Sequence, residues 1–306
     1  MLKAPPASVE RIVYLGTPQM AVPPLAALAE AGFDIALVIS APDKRRGRGK
    51  ELSPTPVKAK ALELGIPVSE SVDDALEVDA DLAVVVAFGQ LIKPPVLKRL
   101  AMVNLHFSLL PRWRGAAPVE QAILAGDSVT GVGVMQLAEG LDTGDLYAEV
   151  EVPIGDDQTA DELRIELVDA GSQLLVETLR SGLDVPRPQH GEASYARKIF
   201  TDDLRLDFGR PAIELHRIVR VGNAWTTFRG KRLKVWQSRL VDQSGSGDVP
   251  PALPAGVVTL HDGGVVVGTG EGLLELLVVQ PEGKARQDAT AWRNGAQPSA
   301  DEVLGT

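Results

Sequence analysis

The chain has no cysteine among its 306 residues. A disulfide framework, thiolate metal ligands and a cysteine nucleophile are therefore excluded. The sequence also lacks an apolar run of about 18 residues, so no membrane-spanning helix is predicted, and its N-terminal segment shows no signal-peptide core. Neither a Gly-x-Gly-x-x-Gly turn nor a Walker loop is present. These absences favour a cytoplasmic protein without a dinucleotide or P-loop nucleotide site.

Charged residues make up 24% of the chain and are unevenly distributed. The net charge of −10 argues against a general nucleic-acid binder. However, Lys44–Lys50 contains five cations and no acid, and Arg210–Arg239 contains eight cations against the single acid Glu214. The two clusters together are consistent with one localised polyanion site, although either cluster alone is also typical of a solvated surface.

Hydrophobic patterning predicts two domains of different class. Early in the chain, continuous apolar strands alternate with helices, which is typical of a doubly wound, mostly parallel sheet of the α/β class. We predict that this domain spans residues 1–182 and that a polar, proline-containing linker spans 183–206. Residues 207–306 contain short strands with glycine-rich turns, which predict a smaller β-barrel-like domain.

The local pattern also gives element bounds. Ser53 and Pro54 are predicted to start a helix, and residues 41–52 before them are predicted to form a loop. The strands predicted for the first domain are residues 11–16, 35–39, 82–88, 102–107, 129–137 and 146–152.

Three side chains suggest chemistry on a carbonyl group. Asn104 and His106 are two residues apart on a predicted strand, so their side chains share one face. An amide can hold a developing oxyanion, an imidazole can move a proton near neutral pH, and a carboxylate such as Asp142 can orient the imidazole. A hydrogen-bonded core histidine and a simple turn at Asp142 are the alternative interpretations. The sequence does not show whether Asp142 approaches His106.

Two turns near these residues could line a slot for a flat ring, or could simply be packed turns. The residues concerned are Phe88, Gly89 and Gln90 in one turn, and Ser108, Leu109, Leu110 and Pro111 in the other. A metal site is not predicted, because the remaining three histidines are scattered and lack ligand spacing.

At these residues the chain resembles the methionyl-tRNA formyltransferase family of folate-dependent formyltransferases. The core of the resemblance is Asn104-Leu105-His106, then Ser108 to Gly115, then Leu141-Asp142-Thr143-Gly144-Asp145. Val84 to Gly89, the loop segments from Pro42 to Lys58, and Leu276 to Gly283 extend the resemblance over nearly the whole chain. Phe107 departs from the family pattern, in which a small residue is frequent, and could narrow the site.

The resemblance implies a Rossmann-like formyltransferase domain followed by an OB-like, tRNA-binding barrel. It implies formyl transfer from 10-formyltetrahydrofolate, as co-substrate and without a metal, to the amino group of methionyl initiator tRNA in translation initiation. Asn104 and His106 would stabilise the oxyanion, and His106 with Asp142 would move protons. The seven residues of the two turns would bind the folate. The residues that would contact tRNA are Lys44, Arg45, Arg46, Arg48 and Lys50.

Two other functions remain open from the sequence. A formyltransferase acting on a sugar or another small amine shares the core motif, but would show no salt-dependent tRNA binding. An RNA-binding protein with a decayed transferase fold would bind tRNA without formyl transfer. It is disfavoured because Asn104, His106 and Asp142 are all present.

Overall fold

A computed structural model describes residues 2–46, 51–242, 253–299 and 302–305 of the chain. These residues form two compact units. The first unit holds most of the chain up to Arg197, and the second holds the chain from Lys198 together with Glu120–Ser128 and Ile154–Asp161. Within the described ranges, no helix has both the length and the apolar character needed to cross a membrane.

The strands of the first part of the chain are β1 Arg11–Gly16, β2 Asp34–Ile39, β3 Lys44–Arg46, β4 Glu51–Ser53, β5 Val68–Ser69, β6 Leu82–Val86, β7 Met102–His106, β8 Arg114–Gly115, β9 Val129–Gln136, β10 Leu146–Pro153 and β11 Tyr195–Ala196. The helices are α1 Val22–Glu30, α2 Pro56–Glu63, α3 Pro94–Arg99, α4 Pro118–Ala125 and α5 Ala160–Ser181.

The first unit is built on a seven-stranded sheet with the order β10-β9-β7-β6-β1-β2-β5. Its five strands from β7 to β5 are parallel, whereas β9 and β10 are antiparallel additions at one edge.

The central strands form where the sequence is apolar on both faces. All five residues of β6 are buried, as are the last five of β1, so both strands are covered from either side as expected in a doubly wound sheet. The strand β6 ends two residues before the prediction, because Ala87 has a φ of +45° that leaves the extended region. The predicted mostly parallel α/β sheet is confirmed.

Two local predictions before α2 were wrong. The helix starts after Thr55 rather than at Ser53-Pro54, since the Thr55 hydroxyl accepts a hydrogen bond from the Lys58 N–H at 3.2 Å and Pro56 fills the first helical position. The predicted loop 41–52 is interrupted by β3 and β4, which pair with each other in antiparallel fashion.

The second unit contains an antiparallel sheet, which confirms the small β domain expected for the C-terminal part. The elements of this unit are β12 Trp225–Phe228, β13 Lys231–Leu240, β14 Val258–His261, β15 Gly264–Gly268, β16 Leu273–Pro281, β17 Gln287–Asp288, α6 Ala212–Val221 and α7 Ala289–Ala296. Five of the strands follow the order β12-β13-β16-β15-β14, and β17 pairs with β16. The sequence did not predict β12 or α7, although Asp288 caps α7 by accepting the Thr290 N–H at 2.7 Å.

The core of the second unit lies between its two helices and one face of the sheet. Alternate residues of β13 are buried, including Leu233 and Val235, which places Arg232, Lys234 and Trp236 on the opposite face. The Phe228 and Trp292 rings meet edge to face at 5.4 Å between their centroids, which ties β12 to α7.

Candidate active site

The structure places Asn104 and His106 at the carboxyl half of β7, between the parallel strand β6 and the antiparallel strand β9. His106 is buried, whereas Asn104 is half-buried. Among the described residues, the Asn104 amide has no hydrogen-bond partner. The Asn104 amide is not sealed from solvent, so this group is available to an incoming polar atom.

His106 is held from both sides of its ring. Its Nε2 lies 3.0 Å from the Trp113 carbonyl oxygen, and its Nδ1 lies 3.6 Å from Asp142 Oδ2. Because a carbonyl oxygen only accepts hydrogen bonds, Nε2 carries a hydrogen in this arrangement. The Nδ1 side then faces the Asp142 carboxylate. An imidazole beside a carboxylate can accept and release a proton in a transfer reaction.

The order of the strands alone does not predict that Asp142 lies beside His106. The strand β9 runs antiparallel to β7, so its last residue, Gln136, pairs with Val103 at the start of β7. The rule that sites lie beyond the carboxyl ends of parallel strands therefore does not explain the position of Asp142. The loop after β9 nevertheless brings the Asp142 carboxylate to the His106 ring at the other end of β7.

A backbone N–H group fixes the position of the Asp142 carboxylate. Asp142 adopts a φ of +49°, and its Oδ2 accepts the Gly115 N–H at 2.8 Å. This hydrogen bond orients the carboxylate whose Oδ2 faces His106. Gly115 has a φ of +122°, and a side chain there would meet the Ala196 carbonyl oxygen at 2.6 Å, so the turn that supplies this N–H requires glycine.

The first of the two turns predicted to bind folate follows β6. The Phe88 side chain is buried in the core beside Leu15 and Val85, and the Phe88 carbonyl accepts the Thr17 hydroxyl at 3.2 Å. Gly89 has a φ of +72° and open space where a Cβ would lie, and Gln90 is exposed. The surface that this turn offers therefore comes from Gly89 and Gln90 rather than from the Phe88 ring.

The second turn follows β7 and is mostly packed. Ser108 is fully buried and its hydroxyl donates to the Arg112 carbonyl at 2.7 Å. Leu110 packs with Met135 and Leu146, and Pro111 is buried, whereas Leu109 is half-buried. This turn shapes the chain that presents the Trp113 carbonyl to His106. The assignment of all seven residues to folate stays a prediction.

The basic segment before α2 is described in part. Lys44, Arg45 and Arg46 form β3, whereas Arg48 and Lys50 lie outside the described residues. Further along the chain, the Lys58 ammonium lies 2.8 Å from Asp43 and 3.2 Å from Glu70. The hydrogen bond that the ammonium donates to Asp43 is the main cause that raises the pKa of Lys58. Lys58 therefore holds the chain at Asp43 rather than adding a free cation.

The eight cations between Arg210 and Arg239 are less free than their number suggests. Arg210, Arg229 and Arg239 pair with Glu214, Glu302 and Glu275. Arg220 is buried, and its guanidinium donates to the carbonyls of Gly155 and Gln158, both part of the second unit, at 2.7 and 2.8 Å. Burial lowers the pKa of Arg220.

Two other cations of that region, and one further along the chain, lie on aromatic rings. The Arg232 guanidinium is 4.0 Å from the Trp225 ring centroid, and Lys234 and Arg286 lie 5.1 and 3.3 Å from that of Trp236. Rings and cations alternate on the outer face of β12 and β13, which is an arrangement that suits nucleic acid.

Sequence reasoning missed the segment that surrounds the Asp142 loop. Gln189 and Ser194 lie in the predicted linker, yet both hydrogen-bond to turns of the site. No periodicity or motif in this polar segment indicated such contacts. Elsewhere in the described ranges, no group of three or more acids and histidines is arranged to hold a metal ion.

The chain belongs to the formyl transferase family of group-transfer enzymes. The model of the formyl transferase domain matches residues 10–179, and that of the formyl transferase C-terminal domain matches residues 198–297.

Curated relatives carry a more specific name. A methionyl-tRNA formyltransferase of Symbiobacterium thermophilum is 43% identical over 93% of this chain and 92% of its own length. Those of Phenylobacterium zucineum and Methylococcus capsulatus are 44% and 39% identical, over 93% and 97% of this chain and 96% and 100% of their own lengths.

Solved structures share the fold at low identity. An N-formyltransferase from Helicobacter canadensis, in complex with folinic acid and dTDP-3-aminofucose, aligns with a TM-score of 0.67 at 17% identity, over 89% of this chain and 99% of that protein. HypX from Aquifex aeolicus in complex with tetrahydrofolic acid aligns with a TM-score of 0.63 at 17% identity, over 94% of this chain and 47% of HypX.

Proposed function

We propose that this protein transfers the formyl group of 10-formyltetrahydrofolate to the α-amino group of methionine esterified to initiator tRNA, in the cytoplasm. The observation that carries the proposal is the unpartnered Asn104 amide beside His106, whose ring is held by Asp142 and the Trp113 carbonyl. The names of relatives that match over nearly their whole lengths support the choice of acceptor.

The side chains suit each step of an acyl transfer. The amine nitrogen attacks the formyl carbon, and the carbonyl oxygen becomes an oxyanion that the Asn104 N–H stabilises. A ring N–H of His106 stabilises it as well once the ring turns Nε2 from the Trp113 carbonyl towards the substrate. The bond from the formyl carbon to the folate nitrogen then breaks. The amine loses one proton and the folate nitrogen gains one, with His106 passing the proton and Asp142 supporting the cationic ring.

We assign the folate to the turns Phe88–Gln90 and Ser108–Pro111, in which Gly89, Gln90 and Leu109 offer the accessible surface. We assign tRNA contacts to Lys44, Arg45, Arg46, Arg48 and Lys50, and to the ring-and-cation face of β12 and β13. Cations along a surface bind the phosphate backbone, and exposed rings can stack on unpaired bases.

The test incubates the purified protein with 10-formyltetrahydrofolate and charged initiator tRNA, and measures formylmethionine released from the tRNA. Free methionine and an amino sugar serve as parallel acceptors, and the Asn104→Ala variant serves as the control for the site. We expect formylation of charged tRNA only, and its loss in the variant. Transfer to the amino sugar but not to tRNA would establish the small-amine alternative, and tRNA binding without any transfer would establish a binding protein.

A further inference from the structure

The backbone of the segment Arg187–Ala196 pairs with the first unit at two places, one on β10 and one at the turn that contains Trp113. The backbones of Leu146 and Arg187 exchange two hydrogen bonds, at 2.8 and 2.9 Å. The Arg114 N–H donates to the Ser194 carbonyl at 2.9 Å, and β11 pairs with β8. The Ser194 hydroxyl accepts the Trp113 N–H at 3.0 Å. This segment is therefore bonded to the residues on both sides of the Trp113 carbonyl that holds His106.

Within this segment, the half-buried Gln189 joins two turns through one side-chain amide. Its Nε2 donates to the carbonyls of Asp142 and Gly144 at 2.9 and 2.7 Å. Its Oε1 accepts from Arg114 Nε and Nη2 at 3.1 and 2.5 Å. The orientation of the amide follows from its partners, because two carbonyls require a donor and a guanidinium requires an acceptor.

The two turns that Gln189 joins are those that hold His106. One contains Asp142, whose carboxylate faces His106 Nδ1. The other contains Trp113, whose carbonyl faces Nε2, and Gly115, whose N–H binds the carboxylate of Asp142. Arg114 lies between these two residues of the second turn. A shift of either turn would change the distance between the imidazole and the carboxylate.

We propose that Gln189 is a positioning residue for formyl transfer. It fixes the Asp142 and Trp113 turns relative to each other, so that each ring nitrogen of His106 keeps its polar neighbour. This inference rests on the proposed function for its activity readout. Gln189 itself touches no reacting atom in this role. It acts through the two backbone turns, so its loss affects the chemical step rather than the binding of tRNA.

The decisive variant is Gln189→Glu. It keeps an acceptor for Arg114 but removes the donor to the two carbonyls, and it places negative charge against them. At neutral pH we expect kcat to fall on the order of 10- to 100-fold, with KM for charged tRNA unchanged. Gln189→Met has similar length without either hydrogen bond and should show a comparable loss. Gln173→Glu makes the same chemical change at an exposed position of α5 and should behave like the wild type.

The pH profile separates positioning from general damage. As the pH falls towards the ordinary carboxyl pKa of about 4.3, the introduced carboxyl gains a proton and can again donate a hydrogen bond. The activity of Gln189→Glu relative to wild type should then rise, whereas that of Gln189→Met should not. Wild-type kcat in both variants would overturn the proposal, as would a loss that merely follows a loss of folded protein measured by thermal unfolding.

A measurement without substrates keeps this inference separate from the proposed function. The imidazole NMR chemical shifts of His106 should change in Gln189→Glu and Gln189→Met, but not in Gln173→Glu. Unchanged His106 signals in both Gln189 variants would overturn the positioning role. If the signals shift while the wild type formylates no charged tRNA, the proposed function fails and the positioning of His106 by Gln189 stands.

Discussion

The candidate site of the first unit and the ring-and-cation face of the second unit use charge in different ways. His106 and Asp142 expose only 7% and 12% of their side chains, and each is held by backbone groups. Arg232 and Arg286, by contrast, are exposed and lie on rings rather than against carboxylates. Chemistry on one carbonyl needs a few groups at fixed positions, whereas a polyanion can be bound by many charges placed less strictly.

The largest effect should come from His106. His106→Ala removes the proton carrier and leaves the Trp113 carbonyl and Asp142 without their ring partner, so we expect the transfer rate to fall about 10²- to 10⁴-fold. The affinity for charged tRNA, measured by filter binding, should be nearly unchanged. Near-normal turnover would show that His106 takes no part in the mechanism. The contrast between the two regions would then not hold.

Asn104→Asp tests the unpartnered amide at almost constant shape. It places a negative charge where we expect an oxyanion, so it should cost about 3 kcal/mol of transition-state stabilisation or more. Single-turnover formyl transfer measures the loss, and the folate affinity is the control. Turnover equal to that of the wild type would show that Asn104 is structural.

Substitutions in the basic segment should change the salt dependence of tRNA binding and not the rate of the chemical step. Replacing Arg45, Arg46 and Arg48 by alanine should weaken tRNA binding and reduce the slope of log affinity against log salt by about 0.7 to 0.9 for each phosphate that the protein no longer binds. The rate at saturating tRNA should change little. Lys60→Ala on α2, where Lys60 pairs with Glu63, is the control that should leave the slope unchanged. An unchanged slope in the triple variant would make the segment a solvated connector.

The smallest effect concerns pH and stability in the second unit. His216 is buried, with Nδ1 3.0 Å from the Ser238 hydroxyl and Nε2 3.0 Å from Asp157. Burial lowers its pKa, Asp157 and Asp156 oppose this change, and Arg220 adds to it. Because the folded pKa lies below the ordinary value of about 6.5, the stabilising contribution is complete above that pH and is lost as the pH falls through the folded pKa.

Between neutral pH and pH of about 5, His216 should therefore contribute a slope of at most about 1.4 kcal/mol per pH unit to the free energy of unfolding, measured by thermal unfolding. This is the slope for the uptake of one proton. The slope should shrink in His216→Gln, which cannot titrate. His190→Gln, at a histidine outside the buried core, is the matched control. Identical pH dependence in the wild type and His216→Gln would contradict the role of burial.

The sequence predicted what depends on local pattern. Continuous apolar runs gave β1 and β6, and the spacing of Asn104 and His106 gave their common face on β7. The contact between Asp142 and His106 could not be predicted, since it depends on a loop that follows an antiparallel strand. The role of Gln189 was hidden because its partners lie 45 to 75 residues away.

The charge of the C-terminal part was overestimated from the sequence for the same reason. The acids that pair with Arg229 and Arg239 are Glu302 and Glu275, which lie outside the segment in which the cations were counted. Counting charges along the chain cannot reveal such pairs, because strands and chain ends bring distant residues together. Of the cations counted there, Arg232 and Lys234 lie on the rings of Trp225 and Trp236.

The second unit includes two short stretches, Glu120–Ser128 and Ile154–Asp161, from the first half of the chain. Leu124 of the first stretch packs against the core of this unit, and Gly155 and Gln158 of the second receive the buried guanidinium of Arg220. A gene fragment that begins at Lys198 would encode neither stretch. The C-terminal part is thus compact in space but not continuous in sequence. Transferring it alone to another protein would leave Arg220 without its acceptors, unless the first half of that protein supplies equivalent carbonyls.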